Sequence, residues 1–158
     1  MANEKLRDDA YAAWEGGDAR KAFRLFRALA EAGDKNAFHN LGYCYDVGFG
    51  TKKDRTKAFH WYLRAYRRGD SAAASNIATV YRDEGRHRLA FDWYRRAASM
   101  NDGDAEVEVA KLLMRGVGVG KHRGRAVAAL KRAVASGSIT EAGRQNAKGI
   151  LKTLVAAK

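Results

Sequence analysis

The sequence contains no proline and a single cysteine, Cys44. Without proline nothing interrupts a succession of helices, and abundant Ala, Leu and Arg favour them. One cysteine excludes an internal disulfide and fits a reducing compartment. No apolar stretch approaches the roughly 20 residues a membrane span requires. The opening residues, MANEKLRDDAYAAW, lack the apolar core of a secretory signal. These absences together predict a soluble cytoplasmic protein of one domain. Acidic residues are also scarce, 18 against 30 basic ones, for a net charge of +12. The excess is uneven: residues 1–34 carry six basic and seven acidic side chains, 35–70 eight and three, 71–104 five and five, and 105–158 eleven and three. Such a balance points to an acidic partner without saying anything about the fold.

Chemical motifs are equally thin. The stretch RGVGVGKHRGRA, Arg115 to Ala126, resembles a phosphate-binding loop only at first sight. Gly116 and Gly120 enclose three residues where a Walker loop needs four, and His122 follows Lys121 where a hydroxyl must hold Mg²⁺. The alternation of Gly116, Gly118 and Gly120 also fails the dinucleotide pattern, which must follow a strand. His39, His60, His87 and His122 show no metal-ligand spacing. Cys44 and His39 stand five residues apart, which turns their side chains away from each other on a helix, so Cys44 reads as a packed thiol. No catalytic residue, metal site or cofactor site is expected.

What the glycines do becomes visible when LGYCYDVGFGTKKDRTKAFHWYLRA (41–65) is laid above VAKLLMRGVGVGKHRGRAVAALKRA (109–133). Gly48 falls on Gly116, Gly50 on Gly118, Ala58 on Ala126 and Ala65 on Ala133. Two further copies lack the insertion, and across all four Ala22, Ala58, Ala90 and Ala126 correspond at spacings of 36, 32 and 36. Each copy has two segments of helical periodicity, a pattern that signals stacked helix–turn–helix units. The spacing places repeats at about 3–34, 35–70, 71–104 and 105–138, with a capping helix over 139–158. In the second repeat helix A spans about 36–47 and helix B about 54–68. Gly42, Ala78 and Ala110 let helix A approach its own helix B. The glycines at 48, 50, 116 and 118 supply positive φ in a hinge between the two, and Asp18 and Asp54 are expected as N-caps or first-turn acids of the helices that follow. In the capping segment Ala147, Ile150, Leu151, Leu154 and Val155 share one face, with Arg144, Lys148 and Lys152 opposite.

The run HNLGYCYDVGFGTKKDRTKAFHWYLRAYRRGD resembles the Sel1-like repeat, a relative of the tetratricopeptide repeat. Its Leu-Gly-x-x-Tyr, Gly-x-Gly, Asp and Lys-Ala-x-x-Trp-Tyr-x-x-Ala elements all stand between Leu41 and Ala65. The third copy keeps AFDWYRRA but has no glycine loop. The fourth keeps Gly-Val-Gly-Val with Ala129 and Leu130 in place of Trp-Tyr. The resemblance implies an all-α, right-handed α–α superhelical solenoid that acts as an adaptor, scaffold or regulator. It also implies that Phe26, Trp61, Tyr62, Trp93 and Tyr94 are core rather than base-stacking platforms. Bacterial relatives also serve as partners of secreted effectors, so an immunity-type role is an alternative.

Stacked repeats provide an extended surface rather than a catalytic pocket, and the chain is read as a non-enzymatic protein-binding module. In related repeats helix A lines the inner groove. With Leu41, Gly42 and Tyr45 kept in the core, Asn36, His39, Asn40, Tyr43 and Asp46 face that groove. Ser75, Asn76, Thr79 and Arg82 do so from the third repeat, and Val107, Lys111 and Arg115 from the fourth. Tyr11, Trp14 and Tyr43 would be aromatic anchors; Arg82, Lys111 and Arg115 would favour acidic side chains. Asn40 and Asn76 could bond an extended chain or tie neighbouring repeats together. A second reading is nucleic-acid binding through outward rows of Arg64, Arg96 and Arg132, and of Arg27, Arg95 and Lys131. Neither a membrane nor a small-molecule substrate is expected.

Overall fold

The computed structural model describes residues 2–156. Nine helices and no strand occur among the described residues: α1 (Ala2–Glu15), α2 (Ala19–Glu31), α3 (Lys35–Val47), α4 (Arg55–Tyr66), α5 (Ser71–Asp83), α6 (His87–Ser99), α7 (Gly103–Arg115), α8 (Arg123–Ala135) and α9 (Glu141–Ala156). They form helix A and helix B of successive repeats, with α9 last. Contacts divide the chain after Ala73 into two compact units. In the first, α1 packs on α2, α2 on α3 and α3 on α4; in the second, α6 packs on α7, α7 on α8, and α9 on both α7 and α8.

The helix starts are written in short polar side chains. Asp18, Asp34, Asp54 and Asp102 accept hydrogen bonds from the backbone N–H groups of Lys21, Asn36, Lys57 and Ala105. Each satisfies a donor that the first helical turn leaves unpaired. At α8 the acceptor is His122 Nδ1, 3.2 Å from Arg125 N. Asp70 does the same for Ala73 N at 3.0 Å.

The glycine loops are fixed joints rather than the hinges expected from the sequence. Gly48 and Gly116 end their helices in the left-handed conformation, each N–H returning to the last turn. The far end of each loop is tied to the same helix, by Asp54 N to Tyr45 O at 2.8 Å and His122 N to Leu113 O at 2.9 Å. Between these ties Gly50 and Gly118 have φ of 72° and lie against backbone. A Cβ on Gly50 would strike the Ala19 carbonyl at the start of α2; one on Gly118 would strike the His87 carbonyl at the start of α6. In both units, therefore, the loop buttresses helix B of the preceding repeat.

Aliphatic and aromatic side chains fill the space between helices. Phe26, Leu29, Phe38, Leu41, Cys44 and Tyr62 are fully enclosed in the first unit, and Ile77, Leu113 and Leu130 in the second. Each such burial is worth about 1.5–3 kcal/mol. Gly42 faces the Tyr62 ring so closely that a Cβ would lie 2.6 Å from Cδ1. Burial lifts the Tyr62 hydroxyl well above its ordinary range and pushes the Cys44 thiol up to about 12.

Three sequence expectations change here. Tyr45 is half-buried at the rim, edge-on to Phe23, because Cys44 takes the core position. Val107 is buried rather than facing a groove, since it lies on the packed side of α7. Arg144 turns inward and donates to the carbonyls of Val134 and Ser136, capping the end of α8. Ala147 is buried while Ile150, Leu151 and Leu154 are half-buried; the Val155 side chain and residues 157–158 lie outside the described residues.

Candidate protein-binding surface

On the first unit, α1 and α3 present an aromatic face. Trp14 is half-buried at its centre, with ring centroids 5.2 Å from Tyr43, 4.6 Å from Phe49 and 5.8 Å from Phe26. Tyr11 stands edge-on to Phe26 at 5.4 Å. Tyr11 remains 43% exposed, Tyr43 38% and Val47 50%, the exposed large hydrophobic side chains of the described residues. Asn40 Nδ2 donates to Tyr11 Oη at 2.9 Å, so that amide ties the first repeat to the second. Val47 and Phe49 were not singled out from the sequence. Their signal was an apolar residue on either side of the helix-ending Gly48.

Next to this face an open cleft of about 450 Å³ runs along the start of α3 and the turn after α4, lined by Tyr11, Lys35, Asn36, His39, Asn40, Arg68 and Asp70 among others. His39 Nδ1 lies 2.8 Å from Asp70 Oδ2, and its ring stands edge-on to Tyr62. Burial pushes the Asp70 carboxyl up, but the bond and charge of His39 outweigh it and hold the group below its usual range. Asp34 behaves alike: burial raises it, and the hydrogen bond from Arg7 Nε at 2.5 Å, with the α3 amides, lowers it further. Asp46 accepts a long 3.5 Å bond from Tyr62 Oη.

Four of the residues singled out on the second unit are engaged by neighbouring side chains. Ser75 Oγ donates to Asp102 Oδ2 at 2.8 Å, and Thr79 Oγ1 is 2.9 Å from Tyr94 Oη. Arg82 reaches Tyr94 Oη at 3.2 Å, Asp83 at 3.3 Å and Glu108 at 3.9 Å, while Lys111 Nζ donates to Glu108 at 2.7 Å. Asn76 is half-buried and Arg115 is exposed in the last turn of α7.

One of the two outward basic rows is likewise occupied. Arg64 is half-buried, its guanidinium 4.3 Å from the Phe38 ring centroid and 4.7 Å from that of Trp61. Arg96 stacks on Trp93 at 4.5 Å. Arg132 makes a bidentate pair with Glu106, at 2.6 and 2.9 Å, and the pair raises the guanidinium further. Arg27, Arg95 and Lys131 are exposed. Among the described residues no group of three His, Cys, Asp or Glu side chains is arranged to hold a metal ion. No helix among the described residues is long and apolar enough to cross a membrane.

Comparison with known proteins agrees with this architecture. The Sel1 repeat model matches residues 11–34, 37–70 and 80–102, just over half of the chain. A Sel1 repeat protein from Oxalobacter formigenes superposes with a TM-score of 0.81 at 24% identity, over 96% of this chain and 62% of that one. The antigen c5321 of uropathogenic Escherichia coli, which displays an SLR fold, gives a TM-score of 0.64 at 30% identity, over 72% of this chain and 25% of that one. The ERAD-associated E3 ubiquitin-protein ligase component HRD3A of Arabidopsis thaliana is 30% identical over 66 residues, 41% of this chain. This chain spans only 10% of that protein's length. Proteins built on this repeat are typically non-catalytic scaffolds for protein interaction. With its helix pairs, its two glycine loops and its match over three repeats, the chain belongs to the Sel1 repeat family.

Proposed function

We propose that the chain is a non-enzymatic protein-binding module whose main working surface is the helix A face of the first unit, α1 with α3. The observation that carries this reading is the packing of Tyr43 and Phe49 on Trp14, with Tyr11, Tyr43 and Val47 of the same two helices leaving large apolar surface in solvent. Rigid aromatic side chains at the centre of a contact lose little entropy on binding and supply most hot spots. The row of Ser75, Thr79, Arg82 and Lys111 serves the second unit's own packing and charge balance in this reading, with Arg115 left for a partner. The first outward row speaks against nucleic acid in this reading, because Arg64, Arg96 and Arg132 are each committed to an aromatic ring or a carboxylate. On the same reading α1–α8 are four repeats closed by α9, working in the cytoplasm, where the lone Cys44 stays a thiol.

The test is quantitative capture of a partner by the full chain and by two variants. Tyr43→Ala should weaken binding about thirtyfold, the loss of one hot-spot side chain, with the melting temperature unchanged within about 2 °C. Arg95→Glu with Lys131→Glu should bind normally. Should the double variant abolish capture while Tyr43→Ala leaves it intact, the working surface lies on the B helices.

A further inference from the structure

The helix A face of the first unit has a second feature, and its chemistry narrows the partner. Beside the aromatic face, the cleft at the start of α3 is lined by one acid, Asp70, and two cations, Lys35 and Arg68, with a second acid, Asp34, at the N-cap of α3. Both acids already have partners: Asp70 has His39 at 2.8 Å and Ala73 N, and Asp34 has Arg7 at 2.5 Å and Asn36 N. Lys35 and Arg68 are exposed and have no carboxylate partner among the described residues. The cleft therefore offers two cations without a carboxylate partner beside an acid that is already hydrogen-bonded, with Tyr11 on its wall. An acidic side chain entering it would gain charge-assisted hydrogen bonds from groups that are not already committed.

The spacing along α3 adds a length. Lys35 and Tyr43 are eight residues apart on one helix, about 12 Å at the α-helical rise. An extended chain covers that distance in about four residues. We infer that the face recognises an extended segment of a partner protein carrying an acidic side chain at Lys35 and Arg68 and a large apolar side chain about four residues away, seated against Trp14 and Tyr43. The inference rests on the reading of the α1–α3 face as the working surface.

A displayed library of random segments, flanked on both sides so that no free terminus is presented, tests it on the full chain. The expected winners pair an acidic residue with a large apolar one about four positions away. Lys35→Glu with Arg68→Glu should weaken those winners by about tenfold or more and reverse the preference to a basic residue. Circular dichroism should show the variant folded, since both side chains are exposed. Winners without the acid, winners indifferent to the double reversal, or an empty selection would each overturn the inference. Winners that need Tyr43 but ignore the reversal would sink the acidic contact alone. Winners that also ignore Tyr43→Ala would take the α1–α3 surface down with it. A dimer in light scattering that dissociates on Tyr43→Ala would make a second copy of the chain the occupant, and the inference would fail.

Discussion

The α3–α4 repeat and the α7–α8 repeat share one backbone plan and solve it with different side chains. Both end helix A on a left-handed glycine, Gly48 or Gly116, and both press a second glycine onto the preceding helix B. Between the helices the solutions diverge. Gly42 makes room for the Tyr62 ring, whereas the equivalent positions hold Ala110 and the smaller Leu130, both fully buried. Arg64 lies over Phe38 and Trp61, whereas Arg132, with Ala129 in place of the tryptophan, grips Glu106 at the Phe38 position. The backbone approach is thus fixed by glycine, while the filling is free to be aromatic or ionic provided size and charge change together. The surfaces differ as well: Tyr43 of the first is Lys111 in the second, already bound to Glu108.

The largest expected effect tests what the two repeats share. Gly50→Ala and Gly118→Ala each combine a positive φ with a collision against a carbonyl. Each should cost about 3 kcal/mol or more, read as a fall in denaturant midpoint. Equal stability to the parent would mean that the loops do not buttress helix B. Next comes the difference in filling. Gly42→Ala should cost about 1–3 kcal/mol by overpacking against Tyr62, and adding Tyr62→Leu should recover part of that loss by copying the second unit. A double-mutant cycle showing no coupling would contradict the size match.

Two smaller effects follow. Asp34 and Asp70 sit below the usual carboxylate range when folded, so their contribution is present at neutral pH and is lost as the pH falls below about 4. Asp34→Asn should therefore cost about 1 kcal/mol at neutral pH and flatten the acid limb of the stability curve. An unchanged slope would show that the Arg7 pair contributes nothing. Smallest is the cap exchange. His122→Asp gives α8 the carboxylate that Asp54 gives α4 and should stabilise by a few tenths of a kcal/mol up to about 1.

Much of this was legible in the sequence because the repeat prints itself in small residues. Ala58, Ala126 and Gly42 tolerate no larger side chain where helices touch, and Gly48 and Gly116 mark positive φ, so alignment alone placed the helices within a residue or two. The loops read as hinges because a glycine says that the backbone is special, not what lies against it. The contact of Gly50 with Ala19 spans 31 positions and leaves no local trace. For the same reason Arg64 and Arg144 read from the sequence as outward-facing. A long side chain at a polar register can still fold back onto a ring or a carbonyl, as both do. Lys35 and Arg68 carried no signal at all. What distinguishes them from the other basic residues is that their neighbours Asp34 and Asp70 are already spoken for by Arg7 and His39.

The central claim is that this chain meets its partner through the helix A face of its first unit. It is tested most directly by placing a photo-crosslinking amino acid at Tyr43 in one variant and at Arg95 in another, then irradiating cells that express each. The account predicts a discrete covalent adduct with a partner protein from position 43 and none from position 95. An adduct from position 95 alone would contradict it.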